Sequence, residues 1–158
     1  MPLGTKPSVY KAFFHDLREF IQTQGPVDGL MGFSEGASVA ATLMVENSIR
    51  PFADLKCAVL FCALDTVDPT RLLSETSAIR PLNPAEDGIL VSVPTAHIWS
   101  VCDEVASGSS QKVSGIFEES AKEVLIHSLG HDIPGSRSDE YLHEAIRVIE
   151  RTIERGKD

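Results

Sequence analysis

The sequence has few positive charges and no cluster of them. Lysine and arginine number 14 against 23 aspartates and glutamates, and the formal net charge at pH 7 is −9. Affinity for a phosphate backbone depends on clustered cationic side chains. We therefore expect no nucleic-acid partner.

Long hydrophobic runs are also missing. The longest wholly apolar run, Cys57 to Leu64, is far shorter than the roughly 20 residues that a membrane-spanning helix needs. Met1 to Pro7 has no hydrophobic signal region. We expect no membrane partner and a cytoplasmic location.

Cysteine is scarce. Cys57, Cys62 and Cys102 are odd in number and lack the spacing of metal ligands. We expect reduced thiols and no metal site.

The 158 residues are enough to bury a core without disulfides, which predicts one domain over residues 1–158.

The first third of the chain predicts a helix, a strand and a second helix. Ser8 is placed to cap the first helix. The expected buried face of this helix consists of Val9, Phe13, Leu17, Phe20 and Ile21. The apolar run Val27 to Phe33 predicts a buried strand, and small residues from Ala37 predict a helix that ends near Asn47.

Further along, strands and helices continue to alternate. The predicted strands are Lys56 to Ala63, Thr95 to Val101 and Glu123 to His127. The predicted helices are Thr70 to Ser77, about Ser109 to Ala121, and a last helix capped near Ser138 with Leu142, Ala145, Ile146, Ile149 and Ile153 on its apolar face. We interpret the proline-rich segment from Asp65 to Pro94 as a loop excursion or a lid. This alternation predicts an α/β fold with a parallel sheet covered by helices on both faces.

The residues around Ser34 predict a nucleophile elbow. Gly32, Ser34 and Gly36 form a GxSxG motif between the first strand and the second helix. Three specified positions recur by chance in about one chain in twenty of this length, so the flanking strand and helix carry the argument. A serine fits such a strained turn only if its neighbours two residues away lack bulk. The turn would direct the Glu35 N–H toward negative charge that develops on an attacked carbonyl.

Two further polar residues follow predicted strands. Asp103 follows the third strand and His131 comes shortly after the fourth. Loops at the carboxyl ends of parallel strands meet over one crevice. The chain order Ser34, Asp103, His131 is the order expected for an α/β-hydrolase, in which histidine takes the serine proton and aspartate holds the tautomer of the imidazole.

Other residues compete for these roles. Asp65, beyond the second strand, is the rival acid, and Asp103 has the alternative of a solvated loop carboxylate or a helix cap. His97 lies within a strand, where we expect a core histidine, and Cys102 has no base beside it and is expected to be a packing residue. Three more histidines occupy positions that indicate no particular role: His15, His127 and His143.

Three strings in this order resemble the FSH-type family of serine hydrolases, an α/β-hydrolase group found in fungi and animals: DGLMGFSEGASVAATLM, VPTAHIWSVCDE and SLGHDIP. The resemblance spans nearly the whole chain from Ser8 onward. It implies a triad of Ser34 as nucleophile, His131 as general base and acid, and Asp103 as the residue that orients His131. It also implies hydrolysis of a small-molecule carboxylic ester or acyl thioester without a cofactor. Fungal members are commonly placed in polyketide pathways, which implies a role in secondary metabolism.

Two features depart from the family pattern. Ser100 stands three residues before Asp103, where the family usually has glycine. Family members also begin with a strand and a His-Gly loop that supplies the second oxyanion N–H, and no such segment precedes the first predicted helix. We therefore expect an N-terminally shortened domain with Glu35 N–H as the remaining oxyanion donor. We also expect an unpaired strand edge that a second copy or a complementing N-terminal fragment covers.

Two alternatives to hydrolysis remain open. A non-catalytic hydrolase remnant would use the same pocket to bind an acyl ligand or a partner protein. Acyl transfer or cyclisation would use the same serine and exclude water. The segment between Asp65 and Pro94, which would shape the acyl pocket, has no pattern that identifies a substrate.

Overall fold

Four parallel strands form one sheet in the order of the chain. The computed structural model of the protein describes residues 7–73, 79–135 and 137–157. The strands are β1 (Gly29–Phe33), β2 (Cys57–Phe61), β3 (Thr95–Ser100) and β4 (Lys122–His127). All four predicted strands are confirmed to within two residues at each end.

Six helices and one 3₁₀ turn surround the sheet in the described parts of the chain. The helices are α1 (Pro7–Thr23), α2 (Glu35–Ile49), α3 (Pro69–Leu73), α4 (Pro84–Asp87), α5 (Ser109–Ser114) and α6 (Asp139–Arg155), and the 3₁₀ turn is Glu119–Ala121. Within those described ranges, we find no helix with the length and apolar character needed to cross a membrane.

The sheet is covered on both faces, as the alternation of elements predicts. Along β2, Ala58 and Leu60 pack in a cluster with residues of α2 and α5, whereas Val59 and Phe61 pack with residues of α6. Buried parallel strands carry apolar side chains on both faces for this reason. The predicted α/β architecture is confirmed.

The buried face of α1 differs from the predicted one. Of the expected face, only Ile21 is fully buried, and Val9, Phe13 and Phe20 are exposed. The helix instead buries Tyr10 and Phe14, which pack with Ile21 against Leu43, Val67 and Leu72. Two apolar stripes overlap on this helix, and contacts with distant segments decide which of them is buried.

Two other helices differ from their predictions, α5 in its length and α6 in its buried face. The helix predicted from Ser109 to Ala121 ends at Ser114, and the chain beyond it pairs with Val91 instead: the Val91 N–H donates to the Ile116 carbonyl at 3.2 Å, and the Val91 carbonyl accepts from the Glu118 N–H at 2.8 Å. Ser138 caps α6 as predicted by accepting a hydrogen bond from Tyr141 N–H at 3.4 Å. The face of α6 that is fully buried is Ala145, Val148 and Thr152, while Ile146 and Ile153 are exposed.

In its described parts, the segment interpreted as a loop or lid holds only short elements. The helix predicted from Thr70 to Ser77 is present as α3 up to Leu73, and residues 74–78 lie outside the described parts. Arg80 fixes the segment by binding the carboxylates of Asp68 and Asp87.

Candidate active site

Ser34 lies in a sharp turn between β1 and α2. Its backbone angles are φ 56° and ψ −119°, a left-handed φ that non-glycine residues rarely adopt. The Ser34 N–H donates to the Phe61 carbonyl of β2 at 2.9 Å, which ties the turn to the neighbouring strand. The strained strand-to-helix turn predicted from the GxSxG motif is therefore present.

The two glycines of the motif differ in how much space the fold leaves for a side chain. A Cβ at Gly32 would lie 2.3 Å from the Gly36 carbonyl oxygen and 2.6 Å from the Ala37 nitrogen. At Gly36, no described heavy atom other than those of its chain neighbours and of the nearby backbone of α2 lies within 4 Å of the position that a Cβ would occupy. The expectation that both neighbours must lack bulk is correct for Gly32 and wrong for Gly36 within the described structure.

His131 lies between Ser34 and Asp103. Its Nδ1 is 2.8 Å from Asp103 Oδ2, and its Nε2 is 2.8 Å from Ser34 Oγ. Because a carboxylate only accepts, the network assigns the proton of a neutral ring to Nδ1 and leaves Nε2 to accept from the serine hydroxyl. The side chain of His131 is 18% exposed and that of Asp103 is 3% exposed. The structure thus brings together all three residues that the sequence predicts.

Asp103 is held in place by its own loop. Its Oδ1 accepts hydrogen bonds from Val105 N–H at 2.9 Å and Ala106 N–H at 2.8 Å. Burial alone would raise the pKa of this carboxyl, but the hydrogen bonds from Ala106, the His131 ring and Val105 hold it below its usual value. Asp103 is therefore a carboxylate that faces the imidazole. The rival acid, Asp65, is exposed.

Three side chains beside the triad were not assigned from the sequence. The Phe33 ring lies 5.0 Å from the imidazole of His131, between ring centroids. Ser100 Oγ and Cys62 Sγ bind backbone groups on either side of His131. The position of Phe33 next to Ser34 in the sequence is a signal that could have predicted its closeness to the triad. The closeness of Ser100 and Cys62 to His131 depends on how the strand ends meet in the folded sheet.

The remaining histidines lie outside this arrangement. His97 is buried with its Nε2 3.1 Å from Thr95 Oγ1, which confirms the predicted core histidine. His127 is also buried, and its Nε2 has no hydrogen-bond partner in the described structure. Two histidines are exposed on helices: His15 and His143.

The donor atoms of Cys62, Asp103 and His131 lie within 4.8 Å of one another, which is close enough for a metal ion. Burial, followed by the nearby charge of Asp103, raises the pKa of the Cys62 thiol to about 12. A cysteine binds a metal ion as its thiolate, and both ring nitrogens of His131 already have hydrogen-bond partners. The chemistry of these donors favours proton transfer over metal binding.

Glu35 is the first residue of α2, directly after Ser34. Its N–H belongs to the end of the helix where the partial charge of the macrodipole is positive. A negative charge near this end of the helix is therefore favoured.

The fold and the arrangement of side chains define a class of protein, the serine hydrolases with an α/β-hydrolase fold. Among solved structures, the acyl-protein thioesterase 2 of Zea mays superposes with a TM-score of 0.61 at 16% identity, over 92% of this chain and 65% of that one. At this identity, the likeness shows the fold.

The sequence comparison identifies the family. The model of the family described as Serine hydrolase (FSH1) matches residues 6–142, and the chain belongs to that family. Esterase FPY3 of Fusarium mangiferae is 31% identical over 139 residues, which are 87% of this chain and 62% of that protein. Esterase mlcF of Penicillium citrinum is 27% identical over 137 residues, which are 85% of this chain and 52% of that protein. The chain thus spans between half and two thirds of the length of these relatives.

Proposed function

We propose that the chain is a serine esterase or thioesterase that cleaves a small-molecule carboxylic ester or acyl thioester through Ser34, His131 and Asp103. The observation that carries the proposal is the position of the His131 ring, with one nitrogen 2.8 Å from a serine hydroxyl and the other 2.8 Å from a buried carboxylate. A nucleophile, a base and a group that orients the base are the three parts that covalent acyl transfer to water needs. No cofactor takes part.

In the first half of the reaction, Ser34 Oγ attacks the carbonyl carbon of the substrate while His131 Nε2 takes the hydroxyl proton. The carbonyl oxygen becomes an oxyanion, and the Glu35 N–H stabilises it. When the tetrahedral intermediate collapses, the bond to the leaving alcohol or thiol breaks, and His131 gives its proton to that group. The products are a free alcohol or thiol and an acyl ester on Ser34.

In the second half, water replaces the leaving group. His131 Nε2 takes a proton from the water as its oxygen attacks the acyl carbon, and then returns a proton to Ser34 Oγ as the acyl–serine bond breaks. The carboxylate of Asp103 faces the imidazolium in both halves and stabilises its positive charge. The products are a carboxylic acid and the regenerated serine.

Exposed apolar residues flank the triad residues along the chain, which supports an acyl substrate. Four exposed hydrophobic residues lie next to or two positions from a triad residue: Phe33, Val101, Val105 and Ile133. Exposed apolar side chains around convergent polar groups are typical of small-molecule sites. The role in fungal polyketide metabolism that the family resemblance implies stays a prediction.

The test is covalent labelling of the purified chain with a fluorophosphonate probe, followed by identification of the labelled residue. We expect label on Ser34, none in Ser34→Ala, and full labelling in the matched variant Ser48→Ala, which changes a serine at the far end of α2. Hydrolysis of p-nitrophenyl esters and acyl N-acetylcysteamine thioesters of graded chain length then defines the substrate class. A Ser34→Ala variant with unchanged hydrolysis would refute the proposal.

A further inference from the structure

The residues on both sides of His131 are bound by side chains from two other strand ends. On one side, the Gly130 N–H donates to Ser100 Oγ at 3.2 Å. On the other side, the Asp132 carbonyl accepts from Cys62 Sγ at 3.4 Å. The first contact comes from the last residue of β3 and the second from the residue that follows β2.

The hydroxyl of Ser100 links two loops. Besides the Gly130 N–H, its oxygen accepts from the Cys102 N–H at 3.0 Å. Cys102 precedes Asp103, and Gly130 precedes His131, so one oxygen binds the backbone just before the acid and just before the base. Ser100 is 5% exposed, so water does not readily replace these bonds. A glycine at this position would have no side-chain atom to accept them.

Cys62 occupies a strained position at the other side of the loop. Apart from Ser34, it is the one non-glycine residue with a positive φ, 45°, in the described ranges. It is fully buried, and its Sγ lies within 4.8 Å of donor atoms of both Asp103 and His131. Burial, followed by the charge of Asp103 and a hydrogen bond with its side chain, raises the pKa of the Cys62 thiol, which keeps the proton on sulfur, where the Asp132 carbonyl and the Asp103 carboxylate can accept it. Backbone strain of this kind persists where the surrounding structure enforces it, and it is concentrated at functional sites.

We propose that Ser100 and Cys62 are positioning residues that together hold the backbone on either side of His131, so that its ring reaches both Asp103 and Ser34. The inference rests on the proposed function. A loop bound at only one side would let the imidazole shift, and displacement of a catalytic group by about 1 Å costs on the order of 100-fold in rate. Neither residue touches the reacting atoms, so their effect passes through His131 and, for Cys62, also through Asp103, to which its thiol lies close.

The kinetic test compares Ser100→Ala and Cys62→Ala with variants that keep the polar atom. We expect each alanine variant to lower kcat about 10-fold or more with KM within about twofold, because the loss is in orientation and not in substrate binding. Ser100→Thr and Cys62→Ser, which keep an oxygen acceptor and a hydrogen donor, are expected to recover most of kcat. Matched controls are Thr152→Val, which removes a buried hydroxyl on α6, and Cys57→Ala, which changes the first residue of β2.

A second measurement does not depend on activity. In Ser100→Ala, amide hydrogen exchange at Gly130 and Cys102 is expected to rise about 10-fold relative to the wild type, and to stay unchanged in Thr152→Val. If the wild type is neither labelled by a fluorophosphonate nor active, the proposed function fails, and the exchange data still decide whether Ser100 binds the two amides. If the wild type is active and neither kcat nor exchange changes in the alanine variants, the positioning role is refuted.

Discussion

His131 Nε2 lies 2.8 Å from Ser34 Oγ, although the two residues are 97 positions apart along the chain. Ser34 follows β1 and His131 follows β4, at opposite edges of the sheet. Neighbouring strands lie about 4.8 Å apart, so the two edges of this four-stranded sheet are about 14 Å apart. Residues 128–131 span at most about 14 Å when the chain is fully extended. The loop after β4 must therefore cross the ends of β3 and β2 to reach the serine. Ser100 and Cys62 bind it at those two places.

Replacing the acid tests the assignment of the triad. Asp103→Asn keeps an oxygen for the N–H groups of Val105 and Ala106, but its amide NH₂ would face His131 Nδ1. The imidazole then takes the wrong tautomer, and we expect kcat to fall about 10⁴-fold. Steady-state kinetics on an activated ester measure this loss.

Asp65→Asn is the matched control, because this rival acid is exposed beyond β2. We expect its kcat to stay within about twofold of the wild type. A larger loss in Asp65→Asn than in Asp103→Asn would mean that the acid has been assigned to the wrong strand end.

The two glycines of the GxSxG motif should respond differently to alanine. In Gly32→Ala, the new Cβ would lie 2.3 Å from a backbone oxygen of Gly36, and we expect a loss of at least about 3 kcal/mol in the free energy of unfolding. In Gly36→Ala, the Cβ enters open space at the start of α2, and we expect a gain of up to about 1 kcal/mol. Urea denaturation of both variants measures the difference, and equal destabilisation would contradict it.

The parts of the site that could be predicted from the sequence are those that depend on short stretches of chain. The turn at Ser34 follows from small residues between a strand and a helix, and the positions of Asp103 and His131 follow from the rule that functional loops lie at the carboxyl ends of parallel strands. The parallel sheet with helices on both faces follows from the alternation of strands and helices.

The features that were missed depend on contacts between distant segments. Val9, Phe13 and Phe20 form as plausible an apolar stripe on α1 as Tyr10 and Phe14 do, and the choice is made by packing against α2 and α3. The roles of Ser100 and Cys62 require knowledge of where the loop after β4 crosses the sheet. The spacing of residues along the chain does not show where this loop crosses the sheet.

Because His97 is buried, we expect the protein to lose stability in acid. Burial, with a smaller effect of Lys122, lowers the pKa of His97 to about 3 from an ordinary value of 6.5. Between pH 6.5 and 3, the unfolded chain binds a proton at this ring and the folded chain does not, so the free energy of unfolding falls as the pH falls. Above pH 6.5 both states are neutral at His97, and this contribution is constant. The slope is at most about 1.4 kcal/mol for each pH unit.

Urea denaturation at pH 7.5 and pH 5.0 measures this effect. We expect the difference between the two free energies of unfolding to be smaller in His97→Gln than in the wild type, because glutamine does not titrate. Burial also lowers the pKa of His127, so part of the acid sensitivity will remain. His143→Gln, at an exposed position on α6, is the control. A pH difference that is identical in the wild type and His97→Gln would refute the prediction.

The edge of β1 predicts self-association of the isolated chain. In the described sheet, β1 pairs with β2 alone, and its sequence Gly29–Phe33 has no charged residue or proline to oppose pairing with another strand. Met31 beside this edge is 63% exposed. The opposite edge, β4, is guarded by Lys122 and by Glu123, which pairs with Arg151. We therefore expect a second copy to pair along β1.

Light scattering over a range of concentrations tests this expectation. The molar mass of the wild type should rise above that of the monomer as concentration increases, and Met31→Lys should reduce the rise because the charge would be buried in the interface between copies. Val124→Lys places the same charge at an exposed apolar position on β4 and should leave the association unchanged. A wild type that stays monomeric at every concentration, or equal effects of the two lysine variants, would mean that the edge of β1 does not recruit a second copy.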